Sequence, residues 1–361
     1  MAVAPTFPEL DVRSRVSVID PTGDPRWDAF VDQSPLASPF HHSSWANVLI
    51  DSYDYEPRYH ILERGERIVA GWPAMLVSSR LTGTRLVSLP FADYCPPLAS
   101  SDEDTTLLAE AMLTDAERLN ASRVEVRGWP AGLRPVSSLV ASGGYVRHVI
   151  DLRGGLDATR SRLSDNARRS LKKARGFGVS TRLAEGDEDL DRFVELNLSL
   201  RRKHRMLPQP RRFFESVWAR LIQPGRGYVL FAERERRPLA ALLCLRQGLV
   251  TLDKFAVNEQ SQNQFRGSHA AMWAVIEREI HRGASWYDMG RSDASADSLH
   301  RFKEQWGGQK SDATYYFHPA AGGVTTEDPK GMKKLGLDTF ARVAPDALFK
   351  AAGNLLYRHI G

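Results

Sequence analysis

The sequence predicts a mixed α/β (α+β) chain: two domains of one plan in tandem, followed by a C-terminal amphipathic helix. One basis is a strand, tight turn and strand that occur twice. Tyr59-His60-Ile61-Leu62 leads through Glu63-Arg64-Gly65-Glu66-Arg67 into 68–77, and Tyr228-Val229-Leu230-Phe231 leads through Glu233-Arg234-Glu235-Arg236-Arg237 into 238–245. At a constant offset Glu63-Arg64 aligns with Glu233-Arg234, Arg67 with Arg237 and Ala70 with Ala240. A second basis is a helical stretch that runs into a strand through Ala-Ser in each half. These are 105–119 before Ala121-Ser122-Arg123-Val124-Glu125-Val126, and 268–281 before Ala284-Ser285-Trp286-Tyr287-Asp288-Met289. The third is the segment 330–361, where Leu335, Leu337, Phe340, Val343, Leu348, Phe349, Leu355 and Leu356 recur among Lys330, Lys333, Lys334, Arg342, Lys350 and Arg358.

At 361 residues the chain can bury two sizeable cores. A net charge of +5, from 49 basic and 44 acidic side chains, is too weak to imply nucleic-acid binding by itself. It leaves room for local basic patches that meet phosphates. Cys95 and Cys244 are too few for a zinc site or a disulfide framework, so buried thiols in a reducing cytoplasm are expected. Residues 1–16 lack a basic stretch followed by an apolar one, and no window reaches the ~18 apolar residues of a spanning helix. These features predict a cytoplasmic protein, associated at most with the inner face of the membrane.

Leu152-Arg153-Gly154-Gly155 is the best break, giving domains 1–152 and 153–319 and a tail 320–361. The second domain opens with a helix over 158–175, apolar at Leu163, Ala167, Leu171 and Ala174, and with Arg168, Arg169, Lys172 and Lys173 on a solvated face. A helix over 187–204 starts at Gly186-Asp187 and stops before Met206-Leu207-Pro208; another covers 212–221. Three strands follow near 227–233, 238–246 and 249–257, then a loop over 258–267, the helix from 268 and the strand ending at Asp288-Met289. Helices, an antiparallel meander, a loop, a helix and a strand make up the element order of the acetyltransferase-like (GNAT) fold. Two such units account for the chain up to about Pro319.

Four groups of residues could carry chemistry. Arg266, Gly267 and Ser268 lie where a Gly-rich turn would present free N–H groups to an acyl-CoA pyrophosphate. His269 departs from that pattern, and a plain helix start accounts for the segment as well. Arg201-Arg202-Lys203-His204-Arg205 closes a helix, where basic residues complement the dipole, yet five in succession also suit a phosphate-rich ligand. His41-His42 are read as a surface pair near a helix start rather than ligands. There is no G-x-S-x-G, H-E-x-x-H or C-x-x-C, so serine, zinc and redox mechanisms have no support, and no metal is expected. Last come Asp288 at a strand end and Lys303 between Phe302 and Trp306. Asp288 could be a general base or an anchor paired with Arg291 or Lys303. Lys303 could steady a developing oxyanion, or lie along the aromatics with its head in water.

Together these segments resemble the FemABX family of bacterial peptidyltransferase-like enzymes. The resemblance covers 166–178, with Arg169, Lys172, Lys173, Ala174 and Gly178, and Leu198-Ser199-Leu200-Arg201-Arg202-Lys203-His204 through Pro208, Pro210 and Phe213-Phe214. It continues in Trp273, Asp288-Met289-Gly290-Arg291-Ser292 and Arg301-Phe302-Lys303-Glu304-Gln305-Trp306-Gly307. The first half is covered only through His42-Ser43-Ser44-Trp45 and the strand pair after it. The coiled-coil arm of some members is absent.

The resemblance implies transfer of an aminoacyl group from aminoacyl-tRNA to an amine of a peptidoglycan or glycolipid precursor, with no bound cofactor. It implies that Lys303, with Phe302, sits at the transfer site and stabilises the tetrahedral intermediate. Arg201 or Arg202 would contact substrate phosphate, with His204, Arg291, Arg301 and Trp306 as further substrate contacts. The alternative is an acyl-CoA-dependent N-acyltransferase of envelope polysaccharide synthesis. A non-catalytic binding module that retains the fold is the third reading. The tail adds an expectation of peripheral contact with an anionic membrane.

Overall fold

The computed structural model describes residues 14–142, 144–319, 340 and 342–359. The first half runs β1 (Ser14–Ile19), α1 (Pro25–Gln33), α2 (Ser43–Tyr53), β2 (Glu56–Pro57), β3 (Tyr59–Arg64), β4 (Arg67–Trp72), β5 (Met75–Ser79) and β6 (Gly83–Val87). It continues through α3 (Asp102–Arg118), β7 (Arg123–Arg127), β8 (Val140–Ser142) and β9 (Tyr145–Asp151). The second half opens with α4 (Gly155–Ser161), α5 (Asp165–Gly176), β10 (Ser180–Leu183), α6 (Gly186–Lys203) and α7 (Arg211–Val217). Next come β11 (Gly227–Arg234), β12 (Arg237–Gln247), β13 (Val250–Asn258), α8 (Gly267–Arg282), β14 (Trp286–Asp293), α9 (Asp297–Glu304), β15 (Gln309–Asp312) and β16 (Tyr315–Pro319). The last described helix is α10 (Asp346–Leu356).

The expected meander forms: β11, β12 and β13 are antiparallel neighbours, and β14 then joins β13 in parallel after α8. The first half repeats only part of this: α3 leads into β7, which pairs in parallel with β6, but the strand expected over 68–77 is two, β4 pairing with β3 in one sheet and β5 with β6 in another. Tandem domains of the GNAT type, in a mixed α/β chain, are therefore present.

Local chemistry shifts some boundaries. The single helix expected over 158–175 is two, because Ser164 leaves helical geometry and its hydroxyl accepts the Ala167 N–H at 3.2 Å, capping α5. The helix expected over 212–221 ends at Val217 and continues as one wide turn, Trp218–Ile222. Asp288 does not end its strand: β14 runs five residues further. His41 and His42 are not a surface pair but are almost wholly buried. The His41 ring bridges the Ser38 N–H at 3.0 Å and the Pro96 carbonyl at 2.9 Å, and His42 Nδ1 caps α2 by accepting the Ser44 N–H.

The sheets do not divide the chain where the turn at 152–155 does. One sheet has the order β10-β11-β12-β13-β14-β9-β15, and another β2-β5-β6-β7-β16-β8; a third is β1-β3-β4. Thus β9, from the first half, sits between β14 and β15, while β16, from the second, sits between β7 and β8. Each half lends the other an interior strand.

A shared core reinforces this exchange. Trp27, Trp45, Tyr53 and Tyr59 belong to the same apolar cluster as Phe193, Phe213, Phe231 and Phe349. Residues 320–339 of the tail lie outside the described residues, but α10 packs against the body. Phe349 and Tyr357 are in the shared core, and a Cβ on Gly353 would stand 2.3 Å from the Pro208 carbonyl oxygen. Leu348 and Leu355 remain exposed. Among the described residues no helix is long and apolar enough to cross a membrane.

Candidate functional site

The site arises where β13 and β14 part. Their parallel pairing covers only Val250 to Leu252 against Trp286 to Asp288. Beyond that point β14 gains one extra residue against β9, and Gly290 takes a left-handed conformation (φ +67°). Such a bulge bends its strand, and here it opens a split between two neighbours. A Cβ at Gly290 would lie 3.0 Å from the Asp253 carbonyl oxygen, so a larger residue does not fit this turn without strain.

β13 carries its own irregularity. Leu243 of β12 faces Phe255 while Cys244 faces Asp253, which leaves Lys254 as the extra residue. Strict alternation would send Asp253 and Lys254 to opposite faces; with the bulge, both border the same cleft.

The cleft, of about 760 Å³, holds many of the sequence-derived candidates: His204, Arg266, Gly267, Ser268, Arg291, Phe302 and Lys303 line it. Asp93, Asp253 and Lys254 line it too and were missed from sequence. Asp93 comes from the loop after β6, so the first half closes one side of a site built on the second.

Lys303 is 5 % exposed, and its Nζ donates to the Gly290 carbonyl at 2.7 Å. Its head is therefore not in bulk water. Burial pulls this ammonium below the ordinary lysine range, while Asp253, Asp288 and Asp93 pull it back up. Asp288 is buried behind the cleft wall. It pairs with Arg147, at 3.0 Å from Oδ2, and accepts the Gly290 N–H at 2.9 Å on Oδ1. The anchor thus uses neither Arg291 nor Lys303, and it fixes the very turn whose carbonyl holds Lys303. Burial raises its carboxyl, against the pull of Arg147.

Lys254 donates to the Phe91 carbonyl at 2.7 Å and meets both Asp93 oxygens at 3.2 and 3.3 Å. Arg291 donates to the Tyr315 hydroxyl at 2.7 Å and lies over the Tyr145 ring. Those tyrosines belong to the two exchanged strands, so the crossing fixes Arg291.

The other candidates are placed differently. Trp306 is fully buried in the second domain's core, against Phe302 and His269. Arg301 is exposed on α9. Arg202 donates to the Ala344 carbonyl at 2.8 Å, binds Asp346 and covers Phe349, so it fastens the tail. Arg201 is half-buried, next to Met206, on the α6 end that brings His204 to the cleft rim.

Gly267 opens α8 directly after the left-handed Arg266. A Cβ there would sit 2.5 Å from the Leu239 Cβ, so glycine is what lets the helix start against β12 and the cleft. In the first half, the equivalent split between β6 and β7 is taken up by the chain itself. Cys95 N–H bonds the Arg127 carbonyl at 2.7 Å, and buried Arg127 reaches Glu125 and the Ala92 carbonyl. The open cleft belongs to the second domain. Among the described residues no group of three or more His, Cys, Asp or Glu gathers to hold a metal.

Comparison with known proteins agrees with this architecture. The acetyltransferase (GNAT) domain family matches residues 160–306. No curated protein matches the chain. Among solved structures, FemX superposes with a TM-score of 0.67 at 12% identity, covering 85% of this chain and 97% of FemX. L-PGS from Bacillus licheniformis gives 0.53 at 14% identity, covering 89% and 96%. A tandem GNAT protein from the clavulanic acid biosynthesis pathway gives 0.55 at 12% identity, covering 86% and 100%. Residues 160–306 thus match the acetyltransferase (GNAT) domain family, and the chain as a whole has the tandem fold also seen in FemX.

Proposed function

We propose that the protein moves an aminoacyl group from aminoacyl-tRNA onto an amine of a peptidoglycan or related envelope precursor. The observation that carries this reading is the buried Lys303 ammonium, held on the Gly290 carbonyl at the split of a GNAT sheet. An amine attacking an ester carbonyl pushes negative charge onto oxygen, and a desolvated cation next to that oxygen lowers the barrier. Phe302 lines the cleft beside Lys303, where it excludes water from the reacting carbonyl. Asp288 and Arg147 hold the Gly290 turn in place. Arg202 is committed to the tail, which leaves Arg201, near His204, as the contact for substrate phosphate. FemX and L-PGS share this tandem fold, and the name of a further neighbour, the C-terminal domain of a putative lysylphosphatidylglycerol synthetase from Agrobacterium fabrum, supports an aminoacyl donor and an envelope acceptor.

The second reading is acyl transfer from an acyl-CoA. It is favoured by the α8 N-terminus, where Arg266, Gly267 and Ser268 line the cleft. Calorimetric titration of the full chain with acetyl-CoA, and separately with bulk aminoacylated tRNA, distinguishes the two. Saturable tRNA binding without CoA binding is the expected result. CoA binding that persists at high salt, with none for tRNA, would replace the first reading by the second.

A further inference from the structure

Three carboxylates surround the Lys303 ammonium, and they are not equivalent. Asp288 has both oxygens engaged, one by Arg147 and one by the Gly290 N–H. Asp93 has both of its oxygens on Lys254. Asp253 borders the same cleft as Lys303 and is only 8 % exposed, and its Oδ1 has no hydrogen-bond partner among the described residues. A buried acceptor oxygen left unsatisfied is costly, so it calls for a donor that enters with the substrate.

We propose that Asp253 is the general base of the transfer, taking a proton from the ammonium form of the acceptor amine. This assignment rests on the reading of the cleft as an acyl-transfer site. The bulge at Lys254 turns Asp253 into the cleft, beside the Gly290 turn that holds Lys303. The base and the cation that receives the oxyanion thus lie on opposite sides of the split, on β13 and α9.

The step balances without any further reagent. The acceptor R–NH3⁺ gives one proton to the Asp253 carboxylate and becomes R–NH2. Its nitrogen lone pair forms a bond to the acyl carbon, and the carbonyl π pair moves onto oxygen beside Lys303. When the carbonyl reforms, the bond to the donor oxygen or sulfur breaks. The leaving group departs with that pair and takes the second nitrogen proton, and Asp253 later returns its own to water.

The charged and titratable neighbours suit this work. Burial, with Asp93 and Asp288, pushes the Asp253 carboxyl up to about 7, while Lys303 and Lys254 pull it down. Cys244 of β12 and Tyr287 of β14, also buried, face it from the core side. A base that titrates near the working pH is half available and still strong enough to take the proton.

The test compares two acceptor probes with the full-length protein and whichever donor binds, product being read by mass spectrometry. Nα-acetyl-lysine presents an ammonium that must lose a proton; hydroxylamine is already neutral at pH 7. Asp253→Asn is expected to slow transfer to the lysine probe ~100-fold or more and to leave hydroxylamine within about threefold. The wild-type rate on the lysine probe should rise with pH and break near 7, and Asp253→Glu should restore a break that the Asn variant lacks. Equal rates for wild type and Asp253→Asn on both probes would overturn the assignment. So would equal losses on both probes in a variant with an unchanged melting temperature. If Asp253→Asn does not fold, the assignment stands or falls on whether Asp253→Glu keeps the pH break. Wild-type transfer to neither probe, with either donor, would instead overturn the acyl-transfer reading itself.

Discussion

At the scale of single residues, the informative contrast is between groups that are spent and groups that are free to act. Asp288, a candidate base by sequence, has both oxygens engaged, by Arg147 and by the Gly290 turn, so the proposed mechanism uses it to position that turn. Among the described residues Lys303 has one hydrogen-bond partner, the neutral Gly290 carbonyl, besides the attraction of the three nearby carboxylates. Lys303→Ala is therefore expected to reduce turnover by ~10²–10³ while donor affinity changes little, as removal of a donor to an oxyanion does. Single-turnover kinetics beside binding titration checks this. A loss confined to affinity would place Lys303 in substrate binding instead.

At the scale of elements, two bulges and one glycine shape the cleft. The bulge in β14 separates it from β13, and the bulge in β13 brings consecutive side chains to one face. Gly267 lets α8 begin in contact with Leu239. Gly267→Ala forces that helix start away from β12; overpacking of this kind costs ~1–3 kcal/mol. A lowered urea midpoint with an unchanged slope is the expected signature, together with weaker donor binding. Unchanged stability would show that the helix start yields without cost. The first half shows what these irregularities achieve, since its equivalent split is filled by the Cys95–Arg127 bridge.

At the scale of the whole molecule, the exchange of β9 and β16 makes the halves interdependent. A chain cut between 152 and 153 leaves β9 with the first fragment and β16 with the second, each on the wrong side of the break. Neither half alone is expected to show a cooperative melt, whereas the full chain should unfold in one calorimetric transition because the apolar cluster spans both. Two separated transitions in the full chain would count against that coupling. The same crossing brings Tyr145 and Tyr315 to Arg291 and sets the Asp93 loop over the cleft.

The tandem plan, the meander–helix–strand order of the second half and the placing of Lys303 in the cleft were legible in the sequence because they rest on local periodicity and on a short contiguous motif. Helix ends were less so: Ser164 splits a helix whose apolar spacing runs straight through it, since capping competes with periodicity over only a few residues. Asp253 and Asp93 were invisible, one because its direction depends on a bulge in strand pairing, the other because it arrives from the opposite half. His41, polar in sequence, is buried against the Pro96 carbonyl of a loop more than fifty residues away, and His42 against Asp28. The chain by itself determined the strand–turn–strand units, the helices that run into β7 and β14, and the short motif that holds Lys303, since these follow from interactions between near neighbours. Only the tertiary structure decided the strand exchange, the partners of the three carboxylates and the opening of one split rather than two, because each depends on register between segments far apart in the chain.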